Sequence, residues 1–381
     1  MSKDIWKKIL IAVLLFAALL SITAGVKNAL YYSQDFQWDA VKALTMHIDP
    51  YDVSLSQLAR VNAPEMNEFN EYFDSINAPQ NMEANQFPSL LFLLSPLTLL
   101  HYTAARVVWL ILNLLFTAAI IFLLRKTFMK QLDRDVFIIA SLLMIAGTPW
   151  RNQIGVGQHT LFSFAFFLLA VWLSELGHSE IAALPLAVSY FKYTLTAPLA
   201  IWFIYKKRFK EFFISIVIHI FLTIFSCFWL GESFLNMIIK PLKVSSALAS
   251  EGSLDISALT GGASWAVVLT GLLMLVLLGI ALKFDEGYDN ELFTLLLLVS
   301  LIITYHRTYD YFVLTAALPG IINYKKIRAF YVITVLFIFF GLRVFHENGA
   351  SIIAAGVLYY ALIVGFAACF MMKSRISFSH K

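Results

Sequence analysis

The sequence predicts an all-α polytopic membrane protein, and three observations carry that prediction. Apolar residues make up 60% of the 381 residues and charged residues only 14%, outside the balance of water-soluble domains. The apolar residues fall in blocks of roughly 20 or somewhat fewer, the length a helix needs to cross a hydrocarbon core. Lys and Arg collect at alternate block ends, as they do when helices cross in alternating directions with basic loops on the cytoplasmic side. A membrane β-barrel would show short segments of alternating polarity instead. The net charge of +4 forms no basic stripe, so nucleic acid is not an expected partner. Cys227 and Cys369 both lie inside apolar blocks and read as small core residues, not as a disulfide or a metal pair.

In chain order, the apolar run 9–30 reads as a retained signal-anchor helix. It is long for a signal-peptide core and no small-x-small cleavage site ends it. Lys3, Lys7 and Lys8 place its start on the cytoplasmic side, so the segment that follows is extracytoplasmic. This external loop is taken as 31–103, with 39–47 and 65–76 suited to short surface helices. Within it the apolar stretch 87–100 is short and contains Pro88 and Pro96. Were it to span together with 104–124, the basic cluster Arg125, Lys126, Lys130 and Arg134 would fall outside. It is therefore expected to be re-entrant or interfacial. The remaining spans follow in alternation: 136–150, 160–176, 181–191, 197–206, 211–230, 264–282, 292–304, 312–323, 329–345 and 350–372. The expectation is one integral membrane domain over 1–381, about 12 transmembrane helices, both termini cytoplasmic, and a second external loop at 231–263. No internal repeat is visible, which weighs against a secondary transporter.

On this topology the unusual polar residues gather at the external helix mouths. Asp35 and Asp39 stand in YYSQDFQWDAVKALTMHIDPYD (31–52), and Arg151, Asn152, Gln153, Gln158 and His159 follow a span end. Lys192 sits between aromatic residues in YFKYT, and His306, Arg307 and Asp310 lie close together. The middle of the membrane holds little ionisable content beyond His219, whereas a transporter places its site near the midplane. Each residue has an ordinary explanation. External aspartates are most often solvated, a lysine near a helix end snorkels to lipid phosphate, His306 and Asp310 suit a local ion pair, and His219 suits core packing. Their gathering on one face favours an enzyme whose substrate head group lies at the interface. The chain has no dinucleotide fingerprint, P-loop, HExxH, zinc-spaced Cys/His set or GxSxG elbow. No cofactor is expected; the acids suit a hard divalent cation, though nothing in their spacing demands a metal.

Several short stretches then occur in a fixed order. They are Asp35-Phe36 with Pro50-Tyr51-Asp52, Phe87-Pro88, Ala105 to Leu110 with Leu112-Asn113-Leu114, and Arg151-Asn152-Gln153 with Gly157-Gln158. Phe191-Lys192-Tyr193-Thr194 ahead of Pro198 comes next, then 305–311 leading into Phe312-Val313-Leu314 and Pro319. Together they resemble glycosyltransferase family 87, polytopic GT-C-type enzymes that include polyprenyl-phosphate-mannose-dependent mannosyltransferases. The resemblance implies a GT-C-like bundle with a catalytic loop after the first helix. It implies transfer of a hexose, mannose foremost, from a polyprenyl-phosphate-linked donor to a glycan or glycolipid acceptor on the outer face of the plasma (inner) membrane. It casts Asp35 as the general base of an inverting displacement, with His306 as a second catalytic residue orienting donor or acceptor. Lys192, Arg151 and Arg307 would meet the donor phosphate, and Asp39, Asn152, Gln158 and Asp310 would bind substrate. The expected partners are that donor, that acceptor and membrane lipid. The alternative from another class is a transporter or flippase for a lipid-linked or small polar substrate. A ligase-type membrane enzyme is less favoured, because its large loop lies late in the chain.

Overall fold

The computed structural model describes residues 3–33, 36–60, 64–76, 82–248, 254–256, 265–284, 287–303, 306–345 and 349–378. Among these residues the secondary structure is all helical. Five helices are long and apolar enough to cross a membrane: Asp4–Tyr32, Tyr102–Lys126, Phe209–Leu230, Lys325–Val344 and Gly349–Lys373. A sixth candidate is the bent pair Thr148–Val156 and Thr160–Glu175. The exposed faces of these helices carry Phe16, Leu115, Phe221, Phe228, Val357 and Val364, side chains that lipid tolerates and water does not. The protein is a membrane protein.

Helix α1 (Lys3–Tyr32) packs on α7 (Arg134–Ala146) and α8 (Thr148–Val156) through its small residues, with Ala18, Ser21 and Ala29 buried. After it come three short helices, α2 (Trp38–Thr45), α3 (Pro50–Ala59) and α4 (Pro64–Ser75). The sequence suggests only two here. The additional one, α3, starts because Asp49 caps it, accepting from Tyr51 N at 2.8 Å and Asp52 N at 3.3 Å, with Pro50 at the first helical position. This group is tied to the apolar stretch beyond it: Trp38 Nε1 donates to Leu97 O at 3.1 Å, and Tyr51 OH donates to Gln86 O at 2.7 Å. That stretch is a short helix, α5 (Pro88–Leu91), running into a 3-10 segment Phe92–Leu99. Pro96 removes a helical donor there, and the apolar length falls short of a span.

Helix α6 (Tyr102–Lys126) is followed by α7, α8 and α9 (Thr160–Glu175). Residues 136–150 look like one span in the sequence and 151–159 like a loop. The structure instead breaks the helix at Gly147, folds 148–156 into α8, and turns by 107° into α9. Gly147 is extended (ψ 145°), and a Cβ at this position would strike the Phe339 ring. Pro149 then opens α8 at its first turn.

Helix α10 (Ser179–Ser189), a 3-10 turn Tyr190–Lys192 and α11 (Tyr193–Tyr205) make the expected hairpin, with Lys192 at its tip. After α12 (Phe209–Leu230), the expected second loop contains a 15-residue helix, α13 (Phe234–Leu248). The rest comprises α14 (Trp265–Lys283), α15 (Asp289–Ile303), a 3-10 segment Thr308–Ala317 ending in α16 (Leu318–Ile321), α17 (Lys325–Leu336) and α18 (Gly349–Phe378). Helix α15 is buried on all sides from Glu291 to Ile303 and packs on α11, the 308–317 segment, α16 and α18. It is the core about which the site-bearing elements sit.

Candidate active site

Three chain segments far apart in sequence bring charge together in the interior. The 3-10 turn before α11 delivers Lys192, whose own N donates to Ser163 Oγ of α9 at 2.8 Å and whose carbonyl accepts from Thr196 Oγ1 at 3.1 Å. The segment opening at Thr308 delivers Asp310, which is completely buried. Lys192 Nζ lies 3.3 Å from Asp310 Oδ2, and His306 Nδ1 lies 2.8 Å from the same oxygen. Thr160, the first residue of α9, donates a short hydrogen bond to Asp310 Oδ1. Both carboxylate oxygens are therefore engaged, as a buried charge requires. The Lys192 ammonium also lies over the Tyr309 ring at 5.8 Å. Burial alone would push the Asp310 carboxyl up, but Lys192, His306 and Thr160 outweigh it and hold the group down at about 2. A further acid, Asp255, accepts from His306 N at 3.2 Å.

Lys192 also faces a small polar cavity of about 20 Å³ that it shares with Asn85, Gln86, Tyr193, Thr194 and Ser245. Gln86 Nε2 donates to Asn85 Oδ1 at 3.0 Å. Gln86 Oε1 is buried and has no hydrogen-bond partner among the described residues. Tyr193 belongs equally to a much larger cavity of about 540 Å³, lined mostly by apolar side chains of the Phe87–Leu90 stretch, the Tyr190 turn, α11, α12, α13 and α14. Phe87, Phe212, Ile220, Phe234, Ile238 and Met274 are among them. The Phe87 and Tyr193 rings meet at 4.8 Å. The large apolar cavity and the small polar one thus share Tyr193, and Lys192 lines the polar one.

Of the expected site residues, the structure brings Lys192, His306 and Asp310 into direct contact. Arg307 is exposed at the start of the same 3-10 segment, and its carbonyl accepts from Asp310 N at 2.9 Å. Arg151 and Asn152 lie half-buried on α8 and bond each other, Arg151 Nη2 to Asn152 Oδ1 at 3.1 Å. Gln158 is half-buried in the α8–α9 corner, next to His159. Asp39 is buried at the start of α2, where its Oδ1 accepts from Ala40 N at 2.8 Å. Asp35 lies outside the described residues. Its neighbours do not: Ser33 Oγ donates to Val156 O at 3.1 Å, and Phe36 is fully buried against Tyr102 at 5.5 Å.

Thr160, Asp255, Gln86 and Ser245 are site members that sequence reasoning does not identify. Thr160 directly follows His159, which offers a faint signal; Asp255 and Ser245 lie in a region that reads only as a loop. Asp49, Asp52 and Glu232 stand close enough to hold a metal ion. Lys240 Nζ occupies that position instead, 2.7 Å from Asp49 and from Asp52 and 2.9 Å from Glu232. The ammonium supplies the counter-charge that joins α13 to the start of α3.

The cluster is thus a buried, fully bonded carboxylate with an ammonium and a histidine on one of its oxygens, the ammonium's residue also lining a small polar cavity. The chain belongs to glycosyltransferase family 87, whose family model matches residues 88–305, more than half of its length. The matched region includes Thr160, Lys192 and Ser245 and stops just before His306. The protein is thus a membrane glycosyltransferase, with a sugar donor and an acceptor as its substrates. No curated protein and no solved structure matches the chain.

Proposed function

We propose that this glycosyltransferase moves a hexose, mannose foremost, from a polyprenyl-phosphate donor to a glycan or glycolipid acceptor on the extracytoplasmic face of the plasma membrane. The observation that carries the donor class is that Tyr193 lines both the large apolar cavity and the small polar cavity beside Lys192. The isoprenoid chain lies in the apolar cavity and the phosphate reaches Lys192. A nucleotide sugar offers nothing to fill some 540 Å³ of apolar space. The same observation favours binding from the lipid phase over transport of a small polar solute, which would need a polar path.

Asp35 is the proposed base. It takes the proton of the acceptor hydroxyl as that oxygen attacks the anomeric carbon; the bond from that carbon to the phosphate oxygen breaks, and its electron pair leaves with the phosphate. One displacement inverts the anomeric centre. The departing phosphate needs positive charge and no proton. Lys192 has three donor hydrogens, of which Asp310 takes one direction, so the others serve the phosphate. Arg307 adds charge at the exposed rim and Arg151 on α8. His306, held by Asp310, orients the sugar, and Asp39, Asn152 and Gln158 hold its hydroxyls or the loop. The support for Asp35 is the anchoring of Ser33 and Phe36 beside α8. The proposed bundle of about 12 spans counts the shorter apolar helices as crossing segments, with the termini cytoplasmic.

The test is transfer in lipid. Asp35→Asn should insert normally, bind donor as before, and lose transfer by about 100-fold or more. Full activity in that variant would remove Asp35 from the chemistry. Lys192→Ala should raise the donor KM; unchanged donor dependence would return the lysine to a purely structural pairing with Asp310.

A further inference from the structure

The polar cavity beside Lys192 is small, and its wall is chemically specific. A volume of about 20 Å³ admits one water-sized group. Gln86, 6% exposed, forms part of that wall. Its backbone is held, since its carbonyl accepts from Tyr51 OH at 2.7 Å and the ring of the next residue, Phe87, meets Tyr193 at 4.8 Å. Its Nε2 donates to Asn85 Oδ1 at 3.0 Å, which sets which way the amide faces. Oε1 is then the side-chain atom left over, buried and without a hydrogen-bond partner among the described residues. Lys192 lines the same cavity. Its ammonium carries three hydrogens, and Asp310 Oδ2 at 3.3 Å takes one direction.

The cavity therefore offers one bare acceptor, a donor with hydrogens to spare, and room for one oxygen. A hydroxyl meets all three conditions: it donates to Gln86 Oε1 and accepts from Lys192 Nζ. A phosphate oxygen only accepts, and beside Gln86 Oε1 it would set lone pair against lone pair. A bare buried acceptor is costly, so a guest that brings a hydrogen to it is favoured over one that does not.

We propose that this cavity is a subsite for one hydroxyl of the donor hexose, the one on C2, and that Gln86 is the residue that reads it. The inference rests on the reading of Lys192 as the partner of a polyprenyl-phosphate donor and adds a determinant of sugar specificity. The choice of C2 follows from connectivity. The phosphate is carried on C1, so the 2-hydroxyl is the hydroxyl nearest to it and one ammonium reaches both. Mannose and glucose differ at C2 alone, which makes this the point where the site chooses between them. A resident water has the same hydrogen-bonding roles as the sugar hydroxyl, and the experiment separates the two.

The experiment uses the full-length protein in lipid with labelled polyprenyl-phosphate mannose, glucose, and the 2-deoxy and 4-deoxy forms of the mannose donor. In wild type the 2-deoxy donor should lose about 100-fold in kcat/KM, and the 4-deoxy donor much less. Removing the 2-hydroxyl by itself eases departure of the phosphate, so such a loss comes from the protein. Gln86→Met, close in volume and without the acceptor, should slow the mannose donor by a similar factor with its thermal midpoint near wild type. In that variant most of the 2-deoxy penalty should vanish, because acceptor and hydroxyl act as a pair. The preference for mannose over glucose should narrow with it. Wild-type transfer from the 2-deoxy donor at the mannose rate would overturn the subsite without recourse to any variant. A 2-deoxy penalty that persists in full in Gln86→Met would also overturn it, assigning the cavity to a resident water and leaving the lipid-linked donor standing. No transfer from any polyprenyl-phosphate hexose would remove the donor reading and this inference with it.

Discussion

Asp310 holds the centre of the site together, and its removal should be felt more in stability than that of any exposed acid. Asp310→Asn leaves the Lys192 ammonium buried without its carboxylate, a change that costs about 3–5 kcal/mol when one partner of a buried pair is lost. Lys192→Met added to it should recover part of the thermal midpoint without recovering transfer. A midpoint for Asp310→Asn equal to wild type would mean the lysine finds solvent and the pair is not structural. The pH dependence has a defined sign. Burial opposes ionisation of Asp310, but Lys192, His306 and Thr160 depress it from 3.8 to about 2. A depressed carboxylate contributes stability that is complete above its unfolded value and lost as pH falls through its folded value. The difference in midpoint between wild type and Asp310→Asn should be present above about pH 5 and shrink below about pH 4. An acid limb of the rate profile above that range belongs to another group. At this scale the sequence is only partly legible. Lys192 stands out because a charge amid aromatic residues at a helix break is unusual. Thr160 does not, because it lies 150 residues from Asp310 and a hydroxyl at a helix start looks like an ordinary cap.

Among the elements, the α8–α9 corner and α13 are the two that shape the site. The corner depends on Gly157, whose φ of +78° suits glycine and whose added Cβ would strike Ser33 Oγ. Gly157→Ala should cost about 1–3 kcal/mol of stability through that backbone strain and lower kcat by displacing Ser33; unchanged kcat would separate the corner from the chemistry. Helix α13 contributes Phe234 and Ile238 to the apolar cavity and Ser245 to the polar cavity. Lys240 holds it to Asp49 and Asp52. Lys240→Met leaves three carboxylates facing one another, so hydrogen exchange over 234–248 should accelerate and the donor KM should rise. Unchanged exchange would show that apolar contacts alone hold α13. The hairpin around Lys192 is legible in sequence because two short apolar blocks flank a charged tip. The break at Gly147 is not, since the residue that requires it, Phe339, lies almost 200 residues away. Helix α13 reads as loop because its amphipathic face fits neither a span nor a soluble core.

For the whole molecule, composition and block length are enough to reveal a helical membrane protein, since lipid forces backbone hydrogen bonds to be satisfied within each helix. The way the interior is shared among helices is not visible in that way. Helix α15 is among the most apolar blocks and sits at the centre, while α12, similarly apolar, faces lipid. Hydrophobicity does not separate the two positions, because lipid and protein interior are equally apolar. In the proposed function the molecule works as a unit, its apolar cavity and its buried ammonium together receiving a lipid-linked sugar. The most direct measurement of this is incubation of the purified protein in lipid with labelled polyprenyl-phosphate hexoses and a panel of glycan and glycolipid acceptors. The expected result is release of polyprenyl phosphate together with a new glycoside of inverted anomeric configuration, lost in Asp35→Asn. Glycoside formed from a water-soluble nucleotide sugar, with no polyprenyl phosphate released from the lipid donor, would contradict it.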